Sequence, residues 1–349
     1  MPNYNHGGLL ANAVVAILGQ SLCPSEVIIV DDGSTDNSIA VIEEIAAHHP
    51  CVRLVRNSEN CGVVYSANRG AREATGEFLY FAAADDTVYP GFFLESLSLL
   101  ARWPQAGLCS TMVETIFPDG IGIEMPLRKP RSASGYLPPD ECLRAMRRQD
   151  CWTGGNSCIY RREAFVESGG LLPELGPACD LFLGMTVALR YGACFIPRTL
   201  TGYRLSAGSY SARNRDVGVV FARAAALMRT TYAHLYPSDY VDAWEKRAVY
   251  FKGISELRKR FVRQLVTIED VVARPSALDR QVVRLVRFGL LVPFGFLLAY
   301  LLVRLGPKMW TVTGRGCAVK LRYLQARFTR ARRLRVPVRA ADGARGRPV

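Results

Sequence analysis

Phe78-Leu79-Tyr80-Phe81-Ala82-Ala83-Ala84-Asp85-Asp86 is the stretch on which the reading of this chain turns. Seven uncharged residues run without a break into two adjacent carboxylates. Bounded by Gly76 and by the turn-like Tyr89-Pro90-Gly91, the run reads as a buried strand of a mostly parallel sheet. Open α/β sheets bind ligands beyond the carboxyl ends of their strands. Two acids at such an end repel each other. A divalent cation shared with a diphosphate relieves that repulsion, because hard oxygen ligands suit Mg²⁺ or Mn²⁺. An acidic pair capping the following helix is the alternative.

Upstream, Val27-Ile28-Ile29-Val30 is a β-branched run, hence a strand, closed by Asp31-Asp32-Gly33-Ser34-Thr35-Asp36. The next helix carries Ile39, Ile42 and Ile45 at threefold spacing. Val52-Arg53-Leu54-Val55 is a third strand, and residues 63–74 read as a helix ended before Gly76. This β-α-β-α-β alternation predicts an α/β fold: a doubly wound, mostly parallel sheet with helices on both faces and right-handed crossovers. The chain opens on Met1-Pro2-Asn3-Tyr4-Asn5-His6, a loop-type sequence, so the first strand of such a sheet is expected to be missing.

Downstream of the acid pair, 92–103 is helical and 107–114 is a strand. Residues 116–150, rich in Pro, Gly and charge, read as a flexible insertion or lid. Trp152 to Tyr160 reads as a strand kinked at Gly154-Gly155, and a buried core role for Trp152 is preferred to a place in an acceptor pocket. Asp180 opens an amphipathic helix carrying Leu181, Met185, Ala188 and Leu189, and Thr201-Gly202-Tyr203-Arg204 follows. From about 216 to 273 the pattern is helical and carries no recognisable chemistry.

The 349 residues are 49% hydrophobic, enough for a substantial core and incompatible with wholesale disorder. Ten cysteines include no Cys-x-x-Cys pair and no Cys/His cluster with zinc-ligand spacing, so buried free thiols in a reducing compartment are expected. The net charge of +13 is concentrated at the end. From Arg315 onward eleven Lys/Arg stand against one acid, Asp342. Such a tail favours anionic surfaces. Phe288–Val303 is an uncharged run of 16 residues, short of the roughly 20 that span a bilayer. Arg280, Arg284 and Arg287 precede it and Arg304 and Lys308 follow, which gives no inside–outside bias. A monotopic or re-entrant membrane segment is preferred over a spanning helix or a soluble helix. No secretory signal precedes the first motif, so the body is expected on the cytoplasmic face of the membrane, peripheral or monotopic. Specific nucleic-acid binding is not expected, since no recognition module accompanies the basic tail.

Read together, Pro-Asn-Tyr-Asn at 2–5, Val-Ile-Ile-Val-Asp-Asp-Gly-Ser-Thr-Asp-Asn-Ser at 27–38, Asn-x-Gly at 60–62, Ala-Asn-Arg-Gly at 67–70, Ala-Thr-Gly-Glu-Phe-Leu-Tyr-Phe at 74–81 and the acids at 85–86 resemble the inverting nucleotide-sugar glycosyltransferases of family 2, with the GT-A fold. The likeness is dense to about residue 100, thinner to 211, and absent beyond. It implies a UDP- or dTDP-sugar donor, a glycan or lipid-linked acceptor, and a divalent cation, Mn²⁺ or Mg²⁺, as cofactor. Carried over residue by residue, Pro2, Tyr4, Asp32, Asn68 and Asp85 form the donor site. Within it Tyr4 stacks on the base, Asp32 holds the base's polar edge and Asp85 bonds the ribose. Asp86 is the metal ligand and Asp180 the general base.

The chain departs from the family pattern at several points. The family's Asp-x-Asp is Ala84-Asp85-Asp86 here, Cys179 stands where an acid often precedes the base, and Tyr203-Arg204-Leu205-Ser206 replaces a Tyr-Arg-x-His pattern. The expected division is a GT-A domain over 1–211, a helical extension over 212–283, a hydrophobic membrane-associated segment over 284–312 and a basic tail over 313–349. Residues 284–349 are expected to meet anionic lipid. Two other functions compete. One is a catalytically impaired binding or scaffold protein, motivated by those departures. The other is a nucleotidyltransferase, which Gly7-Gly8 alone does not support.

Overall fold

A computed structural model describes residues 1–117, 120–125, 129–148, 152–204, 217–249 and 252. The first third is the expected alternation. Strands β1 (Pro2–Asn3), β2 (Val27–Asp31) and β3 (Val52–Arg56) pair in parallel in the order β1-β2-β3. Helices α1 (Gly7–Leu18), α2 (Ser38–His48) and α3 (Val63–Glu73) connect and cover them. All five residues of β2 are buried, as the unbroken β-branched run requires. Leu10, Val14 and Ile17 of α1 pack with Ile29 of β2 and Ile42 of α2 into one apolar cluster.

A second, seven-stranded sheet follows the order β4-β9-β6-β10-β5, with β7 on β6 and β8 on β10. Its strands are β4 (Phe78–Tyr80), β5 (Thr87–Val88), β6 (Leu108–Ile116), β7 (Gly122–Glu124), β8 (Gly135–Leu137), β9 (Cys158–Arg161) and β10 (Ala193–Arg204). Its long central pair β6–β10 is parallel, while β9 inserts antiparallel between β4 and β6. The sheet is therefore mixed. Helices α4 (Phe92–Arg102), α5 (Pro139–Arg148), α6 (Arg162–Glu167) and α7 (Cys179–Tyr191) follow strands or turns, and α8 (Val217–Arg229) and a helix over 238–249 pack on α7.

Three readings change in the structure. The 116–150 insertion is partly regular, with β7, β8 and the amphipathic α5, whose Cys142 and Met146 are buried. Pro2 and Asn3, read as loop, pair in parallel with Val30 and Asp31. The strand at 78–81 ends at Tyr80, so Asp85 and Asp86 lie on the loop from β4 to β5 rather than at the strand's last residue. β4 is held along one edge only, by β9. Its other edge lines an apolar cavity of 360 Å³ shared with Val27 and Ile28 of β2 and with Met1. The Met1 amine donates to the Ile28 carbonyl at 2.8 Å, and burial lowers its pKa to about 5.

Among the described residues no helix is long and apolar enough to cross a membrane. The hydrophobic segment at 284–312 and the basic tail lie outside the described residues. Eight cysteines are described, all free, and Cys109, Cys142, Cys158, Cys179 and Cys194 are buried.

Candidate active site

A cavity of 450 Å³ opens at the carboxyl ends of β4 and β6. Pro2, Asp85, Asp86 and Asp180 all line it, together with the Gly154-Gly155-Asn156 turn, Tyr160 and Tyr203. Four residues read from sequence as site residues thus converge from three distant parts of the chain. His6 also lines this cavity.

Asp86 is fixed by two donors. The Arg204 backbone N–H bonds Oδ1 at 3.1 Å, and the Asn156 side-chain amide bonds Oδ2 at 3.0 Å. Arg204 Nε also donates to the Asp85 carbonyl at 3.1 Å, which ties the end of β10 to the acid loop. Burial first, and then the charge of Asp85, push the Asp86 carboxyl up to about 7. This pair is not a helix cap: Asp86 runs straight into β5, and α4 begins after Gly91.

Asp180 sits in the first turn of α7, whose N-cap is Ala178, so plain capping does not explain it. Its Oδ2 accepts from the Gly155 N–H at 3.1 Å and its Oδ1 from the Leu181 N–H at 2.7 Å. Burial raises its pKa above the ordinary carboxylate value, opposed by those backbone donors. The neighbouring Cys179 is buried, with its thiol pushed up to about 12 by burial and by Asp180. An uncharged thiol adds no competing charge beside the carboxylate.

Three residues read as donor-binding do not line this cavity. Asp32 is 3% exposed. Its Oδ1 accepts from Asn57 Nδ2, the Cys61 N–H and Ser66 Oγ at 2.6–2.9 Å, and its Oδ2 from the Gly62 N–H at 2.8 Å. It clamps the 57–62 loop to α3 and does not cap α2, whose N-cap is Asn37. One oxygen keeps spare acceptor capacity, since a carboxylate oxygen accepts two bonds. Asn68 spends its amide on the Leu171 backbone, donating to the carbonyl at 2.7 Å and accepting from the N–H at 3.1 Å. It braces the segment leading to Asp180. Tyr4 is 41% exposed on the loop after β1. Trp152 is a core residue, 1% exposed and edge-on to Phe195.

Sequence reading missed how this loop is laced together. Asn5 Oδ1 accepts from the Thr35 and Asp36 N–H groups at 2.8 and 3.2 Å, and Asn3 Nδ2 donates to Asp31 at 2.9 Å. Asp31 in turn accepts from the Ser34 N–H and hydroxyl, closing a tight turn through Gly33. Gly33 has a φ of 74°, and a Cβ there would lie 2.9 Å from the Glu59 backbone. The signal was present: Asn and Asp at these spacings are the residues that bond local backbone. Arg204 was visible too, but only the structure carries it from β10 to the acid loop.

A divalent cation fits this donor set. Among the described residues no group of three His, Cys, Asp or Glu could hold a metal alone. Mg²⁺-type ions are commonly held by one or two carboxylates, with substrate phosphates and water as the other ligands. Asp86, with one lone-pair direction left on each oxygen and a carboxyl that burial disfavours as an anion, suits that arrangement.

The fold is of the GT-A type. Residues 1–167 match the model of the family described as Glycosyl transferase family 2. The chain is 38% identical over 101 residues to the uncharacterized glycosyltransferase YibD of Escherichia coli, covering 29% of each chain. It is 25% identical over 223 residues to the uncharacterized protein MT1568 of Mycobacterium tuberculosis, covering 61% of this chain and 68% of that one. It therefore spans under a third of the length of YibD. The fold is also similar to that of Staphylococcus aureus TarS, residues 1–349, in complex with UDP: TM-score 0.54, 16% identity, 71% of this chain and 69% of that one.

Proposed function

We propose that this chain is an inverting, metal-dependent glycosyltransferase that moves a sugar from a nucleoside-diphosphate donor to a hydroxyl of a glycan or lipid-linked acceptor in cell-surface polysaccharide or glycolipid synthesis. The observation that carries the reading is that Asp86 and Asp180, 94 positions apart in sequence, face one cavity and are held by adjacent residues of one turn. A UDP- or dTDP-sugar is the donor class. TarS has been determined with UDP and with UDP-GlcNAc, which supports a nucleotide-sugar donor here.

Asp180 acts as general base: its carboxylate takes the proton of the acceptor hydroxyl as that oxygen attacks C1 of the sugar. The C1–O bond to the diphosphate breaks on the opposite face, and both electrons leave with the nucleoside diphosphate. Burial raises the Asp180 pKa, which makes its carboxylate a stronger base. Asp86 holds the cation, which when bound offsets charge on the leaving diphosphate. Arg204 brings positive charge beside the same loop. Asp85 serves the ribose, Tyr4 and Pro2 the base, and the spare oxygen of Asp32 its polar edge. Residues 284–349 dock the domain on anionic lipid at the cytoplasmic face, where a lipid-linked acceptor would be presented.

Calorimetric titration of UDP with Mn²⁺, paired with UDP release from a panel of UDP- and dTDP-sugars, tests the reading. Asp86→Ala is expected to weaken metal-dependent binding at least tenfold, as loss of a ligand does. Release by the wild-type protein that vanishes in Asp180→Asn supports the base. A wild-type protein that binds nucleotide but releases none from any donor would leave the impaired binding protein as the better reading.

A further inference from the structure

The Gly154-Gly155-Asn156-Ser157 turn touches both working carboxylates at once. The Gly155 N–H donates to Asp180 Oδ2 at 3.1 Å, and the next residue's side chain, Asn156 Nδ2, donates to Asp86 Oδ2 at 3.0 Å and to the Gly202 carbonyl at 3.3 Å. The turn is built stiff. Ser157 bonds the Gly154 carbonyl twice, from its N–H at 3.0 Å and its hydroxyl at 2.8 Å. Just upstream, Ser110 of β6 bonds the Trp152 carbonyl at 2.7 Å. α7 comes so close that a Cβ on Gly184 would lie 2.7 Å from Thr153 Oγ1. A Cβ on Gly155 would lie 2.3 Å from Asp180 Oδ2, so an alanine there would push that carboxylate out of its seat.

We propose that this turn is a positioning element: Asn156 aims Asp86 and the bare Gly155 backbone seats Asp180, so one rigid segment fixes the geometry of donor and acceptor chemistry together. The inference rests on the roles given above to Asp86 and Asp180. Without the Asn156 amide, Asp86 keeps a single donor and its free oxygen is no longer held in one direction. Outer partners of this kind typically contribute 10–100-fold to metal affinity or activity. Gly155 acts on the other acid alone. Two adjacent residues therefore have separable effects, which a merely structural turn would not produce.

The test uses the full chain with UDP as probe, titrated with and without Mn²⁺. Asn156→Ala is expected to weaken Mn²⁺-dependent UDP binding by at least about tenfold while UDP binding in chelator and Tm stay at wild-type values. Asn156→Ser, which restores a short donor, should recover part of the loss. Gly155→Ala should keep Mn²⁺-dependent UDP binding and lose UDP release from donor. Wild-type protein whose UDP binding ignores Mn²⁺ overturns the functional reading itself. Wild-type protein that does respond to Mn²⁺, with Asn156→Ala equal to it, overturns the role of Asn156 and leaves that reading standing. Equal losses of both properties in both variants reduce the turn to a structural part.

Discussion

At the scale of single residues the account rests on two half-buried acids with different tasks. Asp180→Asn keeps the shape and one of the two acceptor oxygens but removes the base, so turnover should fall by roughly 10²–10⁴ while UDP·Mn²⁺ affinity is unchanged. The pH dependence has a definite sign. Activity requires Asp180 ionised, so the acid limb of the kcat/KM profile should lie above the ordinary aspartate value near 4. A carboxyl whose pKa is raised by folding binds its proton more tightly in the folded state. Stability is thus lost as pH climbs from the unfolded pKa through the folded one. Asp180→Asn should for that reason keep or raise Tm at pH 7, measured by calorimetry. A large fall in Tm would mark Asp180 as structural instead.

At the scale of elements, Asn68 is the informative side chain. Its two bonds to Leu171 join α3 to the segment that delivers Asp180. Asn68→Ala leaves a buried N–H and carbonyl unpaired and should cost about 1–3 kcal/mol, read as a lower denaturant midpoint. Direct nucleotide contact would instead lower UDP affinity with no loss of stability. The same residue shows what the sequence could and could not tell. Periodicity placed the β-α-β-α-β unit and α7, because a 3.6-residue or unbroken apolar repeat is written locally. Asp86 and Asp180 were singled out by the likeness to family 2, beside the local signal of an abrupt acid after an apolar or turn segment. The antiparallel insertion of β9 between β4 and β6 was not legible, because strand order is decided by contacts some 80 residues apart, such as Phe78 with Arg161. Nor was the inward task of Asn68 and Asp32, since an amide or carboxylate reads the same in sequence whether it faces a ligand or a neighbouring backbone.

At the scale of the whole molecule, two regions extend the account. The cavity between β2 and β4 is apolar and lined by residues of both strands and by Met1, whose amine is buried. An engineered extension of five alternating Val, Ile and Thr residues ahead of Met1 should fill it. Burying two branched side chains at about 1.5–3 kcal/mol each corresponds to a Tm gain of at least about 5 °C. The extension would also replace the amine with an amide. In the chain as it stands, the unfolded amine binds a proton between pH 5 and 8 that the folded one does not, so stability should rise with pH across that window. The extended chain should lose that slope. An unchanged Tm would show that the cavity does not accept a strand. The second region is 284–349. Its charge predicts sedimentation with vesicles containing anionic lipid at low salt and release as salt rises, while a chain ending at residue 283 stays in the supernatant.

The most direct measurement is the manganese anomalous signal from a crystal grown with UDP and Mn²⁺. The account predicts one strong peak roughly 2.1 Å from an Asp86 oxygen, bridged to the nucleotide's phosphates. A peak elsewhere, or nucleotide bound with the Asp85–Asp86 loop turned away from it, would contradict the account.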